Sequence, residues 1–256
     1  IINLLPVDKD ENINSIICLN NDEQYKYLTF ITKSGIVKRT NLSEFDNIRN
    51  GGKIAITLKE DDELISVRKT IGENEIIIGA SNGRMVRFIE SEIRVMGRTA
   101  SGVKGIELSG AKVVGGEVIN DNEQVLIVTE KGYGKKTPIQ DYRLTHRGSK
   151  GVKALNVTEK NGMLVSLKAV TGDEDLVIIT DSGIIMRMSM NQISTLGRAT
   201  QGVRLIKLKD DQKVATVATL IKEEEDEEVE VLDIDEQVAV ENNNQENLES
   251  DETTTI

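Results

Sequence analysis

Few side chains in this sequence have the type and spacing to make or break a bond. Gly79, Ser81 and Gly83 satisfy the Gly-x-Ser-x-Gly spacing of a nucleophile elbow, which strains a serine onto a strand-to-helix turn. Here the pattern instead joins two strand-like runs, EIIIGA and RMVRFI, and three sister segments carry Lys33, Glu130 and Asp181 where Ser81 stands. A hairpin turn accounts for it. Gly97 with Gly102, and Gly197 with Gly202, have the Gly-x-x-x-x-Gly spacing of a phosphate loop, but Val103 and Val203 stand where the phosphate-binding lysine is required. Cys18, in SIICLN, reads as a small buried apolar residue of a strand rather than a reactive thiol. His146 precedes Arg147 in a polar loop and reads as a surface or phosphate-contacting residue. One cysteine excludes a disulfide framework and a cysteine-based zinc site, and one histidine excludes most multi-histidine metal centres. No catalytic residue, metal site or cofactor site is expected in this chain.

Positive charge remains, and it is periodic. One series comprises Lys38 with Arg39, Arg87, Lys135 with Lys136, and Arg187. A second comprises Arg49 and Lys53, Arg98 and Lys104, Arg147 with Lys150 and Lys153, and Arg198 and Arg204. The net charge of -11 conceals this, because 15 acids and no Lys or Arg fall in Glu223–Ile256. The preceding 222 residues hold 28 acids against all 32 bases, a balance of +4. Recurring cations on equivalent positions of a repeat form a track that can follow a phosphate backbone. Solvated loops also carry Lys and Arg, but here the bases recur while the acids scatter. The chain has 4 Tyr, 3 Phe and no Trp, too few platforms for stacking the bases of single strands. The expected ligand is therefore duplex DNA, bound through charge and shape with little base reading.

The elements that must position these cations recur along the chain. Glycines in ITKSGIVKRT, ASNGRMVRF, TEKGYGKKT and TDSGIIMRM, at 35, 83, 132 and 183, are separated by 48, 49 and 51 residues. A second set in NGGKIAITL, ASGVKGIEL, SKGVKALNV and TQGVRLIKL, at 52, 102, 151 and 202, is separated by 50, 49 and 51. Two anchors holding one period through four copies define a repeat. Each copy reads as four strands: LISVRKT and EIIIGAS joined by a turn at 71–74, then RMVRFI after a tight glycine turn of positive φ, and VKGIEL after a polar stretch holding one helical turn. YLTFIT, EIIIGAS, QVLIVTE and DLVIITD are nearly continuous in apolar residues, as centrally buried strands are. The fold class is all-β, a propeller-like array of four-stranded blades of about 50 residues. Repeats are expected at about 8–58, 59–108, 109–157 and 158–208, with a closing strand at 213–221, giving a domain over 1–222. The acidic segment 223–256 has few large apolar residues and no helical stripe, so it is expected to be a disordered tail. It serves as a solubilising segment or as a loose competitor of phosphate. The chain opens without methionine on IINLLPV, which matches a unit's last strand and suggests a fragment. No signal peptide or membrane-spanning run appears, so an intracellular, reducing setting is expected.

At this level of detail the repeat resembles the C-terminal β-pinwheel domain of the DNA gyrase A protein, a bacterial type IIA topoisomerase component. The matching residues include NLLPVDKDENI, TKSGIVKRTNLSEF, NGRMVRFIESEIRVMGRTASGVKGIEL, TEKGYGKKTPIQDY and ITDSGIIMRMSMNQISTLGRATQGVRLIKL, spanning 1 to about 222. The resemblance implies blades that exchange strands and a basic perimeter that wraps duplex DNA, presenting a segment for strand passage during ATP-dependent negative supercoiling. It also implies a gyrase B subunit in an A2B2 holoenzyme and the chain's own N-terminal breakage-reunion domain as partners, a cytoplasmic, nucleoid-associated location, no membrane, and ATP and Mg bound elsewhere. The family's Gln-Arg-Arg-Gly-Gly-Lys-Gly box is absent as such; Arg49, Gly51, Gly52 and Lys53 keep its Arg, Gly-Gly and Lys and read as a degenerate repeat of it. By the resemblance, the true box is expected in a blade upstream of Ile1. The corresponding domain of topoisomerase IV, with related blades, is the alternative family member, and a protein-docking propeller is the alternative of another class.

Overall fold

Runs that are apolar at every position must be covered on both faces and flanked on both edges, and in the computed structural model each such run is the second strand of a sheet. The structure describes residues 13, 15–18, 24–46, 52–209 and 211–221. Its strands are β1 Tyr27–Thr32, β2 Ile36–Asn41, β3 Leu64–Thr70, β4 Glu75–Ala80, β5 Arg84–Ile89, β6 Val103–Lys104 and β7 Val113–Ile119. They continue as β8 Gln124–Thr129, β9 Tyr133–Pro138, β10 Val152–Lys153, β11 Leu164–Val170, β12 Glu174–Thr180, β13 Ile185–Ser189, β14 Val203–Arg204 and β15 Val214–Ile221. Four antiparallel sheets result: β3-β1-β2-β6, β7-β4-β5-β10, β11-β8-β9-β14 and β15-β12-β13. The all-β, propeller-like class expected from the repeat is the class observed. The acidic segment lies outside the described residues.

The register corrects one reading. LISVRKT and EIIIGAS are consecutive strands, but they are not a hairpin: β3 pairs with β1 and β4 pairs with β7. At 71–74 the chain passes from one sheet to the next, held by Ile71 N donating to Asn74 Oδ1 and Gly72 N to Glu90 Oε2. Strands are thus exchanged between neighbours, as the resemblance implied. The first and last strands of a sequence repeat complete the sheet begun by the preceding repeat. KVATVATLI takes the first-strand role as β15. Among the described residues the fourth sheet has three strands, and Ile185 on its edge is 68% exposed.

Strands β3, β7, β11 and β15 pack in succession, each against the next. Glu117 of β7 bridges Arg68 of β3 at 2.6 Å and Lys168 of β11 at 3.3 Å. Gly115 lies so close to β11 that a Cβ would stand 2.6 Å from the Leu167 carbonyl oxygen. Apolar side chains fill each interval between sheets. Ile31, Val37, Ile78 and Phe88 lie between the first and second, Ile77, Met85, Ile127 and Leu167 between the second and third, and Leu126, Val128, Leu176 and Ile178 between the third and fourth. The four hairpin glycines have φ of 76 to 82°, and each closes its turn by donating to the carbonyl three residues back. Short 3-10 turns such as Glu90–Glu92 supply the expected helical turn. Cys18 is exposed and lies outside the strands, contrary to its reading as a buried strand residue.

Candidate nucleic-acid interface

The cations after the hairpin glycines mostly point inward. Lys38 and Lys135 are fully buried. Lys38 Nζ donates to the carbonyls of Ala55 and Arg98, and Lys135 Nζ to those of Gly197 and Arg198 at 2.7 and 2.6 Å. Burial lowers both ammonium groups from 10.5 to about 8; the nearby Arg98 and Arg198 push the same way, and Glu44 and Asp141 oppose them. Arg39 is buried, with its guanidinium 4.7 Å from the Tyr27 ring, donating to the Gly72 carbonyl and 3.8 Å from buried Glu90. Lys136 is buried too, and desolvation lowers its pKa. Arg87 donates to Glu75 at 2.5 Å and to the carbonyls of Ile139 and Tyr142. Arg187 is exposed and paired with Asp175 at 2.7 Å. Lys38, Arg39, Lys135 and Lys136 are buried and therefore do not belong to an outer track: the loops carrying the Ala55, Arg98, Gly197 and Arg198 carbonyls cover Lys38 and Lys135, and Tyr27 and the Gly72 carbonyl cover Arg39.

The arginines before the second glycines repeat one contact at three successive boundaries. Arg98 Nη1 donates to the Ile54 carbonyl, Arg147 Nη1 to that of Lys104, and Arg198 Nη1 to that of Lys153, at 3.2, 3.1 and 2.9 Å. Each acceptor is the second residue after its own anchor glycine, so the guanidinium staples one repeat's end onto the next repeat's loop. Other donors of each planar fork remain for a ligand. Gly151 makes the close approach possible: it has φ of +63°, and a Cβ there would run into the Met85 carbonyl. Lys53 is half-buried on the carbonyls of Glu44 and Asp46, and Gly52 has φ of +70°. Arg49 and Gly51 of the degenerate box lie outside the described residues.

The exposed cations lie on the edge strands and the loops beside them. Lys104, Lys153 and Arg204 occupy equivalent positions on β6, β10 and β14; Lys104 pairs with Glu107 at 2.6 Å. A cavity of about 390 Å³ gathers Lys153 and Arg198 with Arg84 and Arg143, Asp141 being its one acid among the described residues. It adjoins a second, of about 450 Å³, where Arg143 recurs with His146, Ser149 and Lys150. His146 is exposed, its Nδ1 3.3 Å from Glu92 Oε1. The structure thus brings Lys150, Lys153 and Arg198 together and adds Arg84 and Arg143, which the periodic series do not include. Arg84 has Ile36, Tyr133 and Ile184 at its sister positions, so periodicity could not find it; Arg143 shares its position with Arg94, a weaker signal. Arginine and lysine gathered in a shallow groove can bind phosphate oxygens, arginine through two parallel bonds.

Four antiparallel sheets in a strand-exchanged repeat, with exposed cations on edge strands and loops, define a propeller-type module. The family model described as "DNA gyrase C-terminal domain, beta-propeller" matches residues 26–70, 74–120, 123–171 and 174–220, and the chain belongs to that family. Each matched segment holds one hairpin and the following first strand, three strands of one sheet. The DNA gyrase A protein of Staphylococcus aureus strain MRSA252 is 50% identical over 232 residues, covering 89% of this chain. The chain spans 26% of that relative's length. Among solved structures, the C-terminal domain of a DNA topoisomerase IV aligns with a TM-score of 0.78 and 28% identity over 85% of this chain and 68% of that one. A DNA gyrase A C-terminal domain aligns at 0.70 and 24% over 84% and 76%, a likeness of fold.

Proposed function

We propose that this chain binds duplex DNA along the cations of β5, β10 and the loops beside them and bends it, as the DNA-wrapping domain of a gyrase A protein. The observation that carries the reading is the convergence of Arg84, Arg143, Lys150, Lys153 and Arg198 on two adjoining shallow cavities. Bending a duplex costs energy that distributed phosphate contacts offset, and such contacts need no base recognition. The wrapped segment would be delivered for strand passage in ATP-dependent negative supercoiling. The breakage-reunion domain of the same polypeptide and the gyrase B subunits of an A2B2 complex would carry the chemistry, with ATP and Mg bound there, in the cytoplasm at the nucleoid. The corresponding domain of a topoisomerase IV is the second reading, favoured by the TM-score of 0.78, whereas 50% identity to gyrase A relatives favours the first.

The test measures affinity of the full chain for duplex, single-stranded DNA and heparin across salt, followed by the linking-number change left when nicked plasmid is ligated around it. Log affinity for duplex should fall with log salt by about 0.9 per phosphate contact, and Lys153→Gln or Arg143→Gln should reduce that slope by about one. A salt-independent affinity, or ligated plasmid with unchanged linking number, would refute binding or wrapping respectively.

A further inference from the structure

A third basic concavity gathers more cations than either part of the duplex-binding groove. It has a volume of about 430 Å³ and lies where the β8–β9 turn meets β14 and the segment leading to β15. Six cations line it: Lys131, Lys160, Arg204, Lys207, Lys209 and Lys213. No carboxylate does so among the described residues; Glu130 reaches Lys213 from outside at 3.4 Å. Tyr133 forms its floor. The ring is buried beneath Arg204 and Lys160, 5.6 and 5.8 Å from its centroid, and its hydroxyl accepts from Arg204 Nη2 at 3.1 Å. Arg204 is thereby fixed in place before any ligand arrives, and the covered ring leaves no face for a nucleobase to stack on.

The sister positions decide what kind of anion fits. Lys207 corresponds to Thr57, Glu107 and Asn156, Lys209 to Lys59, Ser109 and Thr158, and Lys131 to Ser34, Asn82 and Ser182. In the first sheet Glu107 neutralises the edge-strand lysine at 2.6 Å; here a lysine stands in its place. Like charges gathered in a concave site repel one another, and the field they focus is relieved most by an anion carrying several charges within a few ångströms. We propose that this concavity binds a compact oligophosphate, a chain of three or more linked phosphates, whether inorganic or the tail of a nucleotide, separately from the duplex-binding groove.

Inorganic tripolyphosphate is the probe, titrated calorimetrically into the full chain against orthophosphate at matched ionic strength, with adenosine triphosphate as a second arm to distinguish the sources. Tripolyphosphate should bind at least about ten times tighter than orthophosphate. Lys207→Gln/Lys209→Gln should weaken it about tenfold while leaving duplex affinity within twofold, and Arg84→Gln/Arg143→Gln should do the reverse. Thermal melts check that both double variants remain folded, above all the one at Arg84, which is part-buried and donates to the Lys150 and Gly151 carbonyls. Equal binding of tripolyphosphate and orthophosphate overturns the proposal, as does equal loss of tripolyphosphate affinity in the two variants, or a Lys207/Lys209 variant that loses duplex affinity in parallel. Duplex binding by the unmodified chain is scored in the same series, so failure of the DNA reading is seen separately.

Discussion

Replacing Lys135 by methionine should alter how stability depends on pH more than its value at pH 7. Two opposed terms nearly cancel at neutrality. Methionine removes a charge that the fold has stripped of water, but it leaves the carbonyls of Gly197 and Arg198 without their donor. The pH profile has no such cancellation. Burial lowers the folded-state pKa from 10.5 to about 8, so between these values the unfolded chain holds a proton that the folded chain has released. Stability therefore rises with pH across that window, and it is lowest below about pH 8, where the charge is carried by both states. A shift of this size corresponds to about 3 kcal/mol. Lys38 is lowered to about 8 in the same way, so the unmodified chain gains from two lysines and Lys135→Met from one. Urea unfolding of both proteins at intervals from pH 7 to 10.5 reads the difference directly, since ordinary surface lysines cancel between them. The gap should move in favour of the unmodified chain by about 2–3 kcal/mol over that range. Parallel profiles would refute the assignment of Lys135 to the interior.

Three further outcomes are expected. Gly151→Ala should cost at least about 2 kcal/mol, because φ of +63° disfavours a side chain and the added carbon meets the Met85 carbonyl, whereas Gly197→Ala, which meets nothing within 4 Å, should shift the urea midpoint little. Glu90→Ala removes the acceptor of Thr29 Oγ1, Thr70 Oγ1 and Gly72 N and the charge facing buried Arg39, a loss of about 3–5 kcal/mol by thermal or chemical unfolding; Glu90→Gln should lose less. Removing Glu223–Ile256, with its 15 acids, should tighten duplex binding at low salt, with the gain shrinking as screening shortens its reach; equal affinities at low salt would leave solubility as the segment's role.

The repeat was legible because turn chemistry is local, and the strand exchange was not, because pairing is decided at a distance. A glycine between two apolar runs announces a hairpin wherever it stands, so the four turns at 35, 83, 132 and 183 could be read from spacing. Nothing in LISVRKT or EIIIGAS states that β3 must turn away from β4 to join β1; that choice follows from giving the central strands β1 and β4 a partner on each edge. The same limit explains the cations. Lys38 and Arg39 point to opposite faces of β2, and alternation should expose one of them, yet both are covered. One signal was present in the sequence: Glu75 and Arg87, and Asp175 and Arg187, are 12 residues apart, the separation that makes two side chains diagonal neighbours on one face of a hairpin. Tyr27 stands the same distance before Arg39 and stacks against it. A charge matched at that spacing belongs to the sheet. The cations left for a polyanion lie mainly on two-residue edge strands and in the loops beside them, with Arg84 of β5 reaching the same groove.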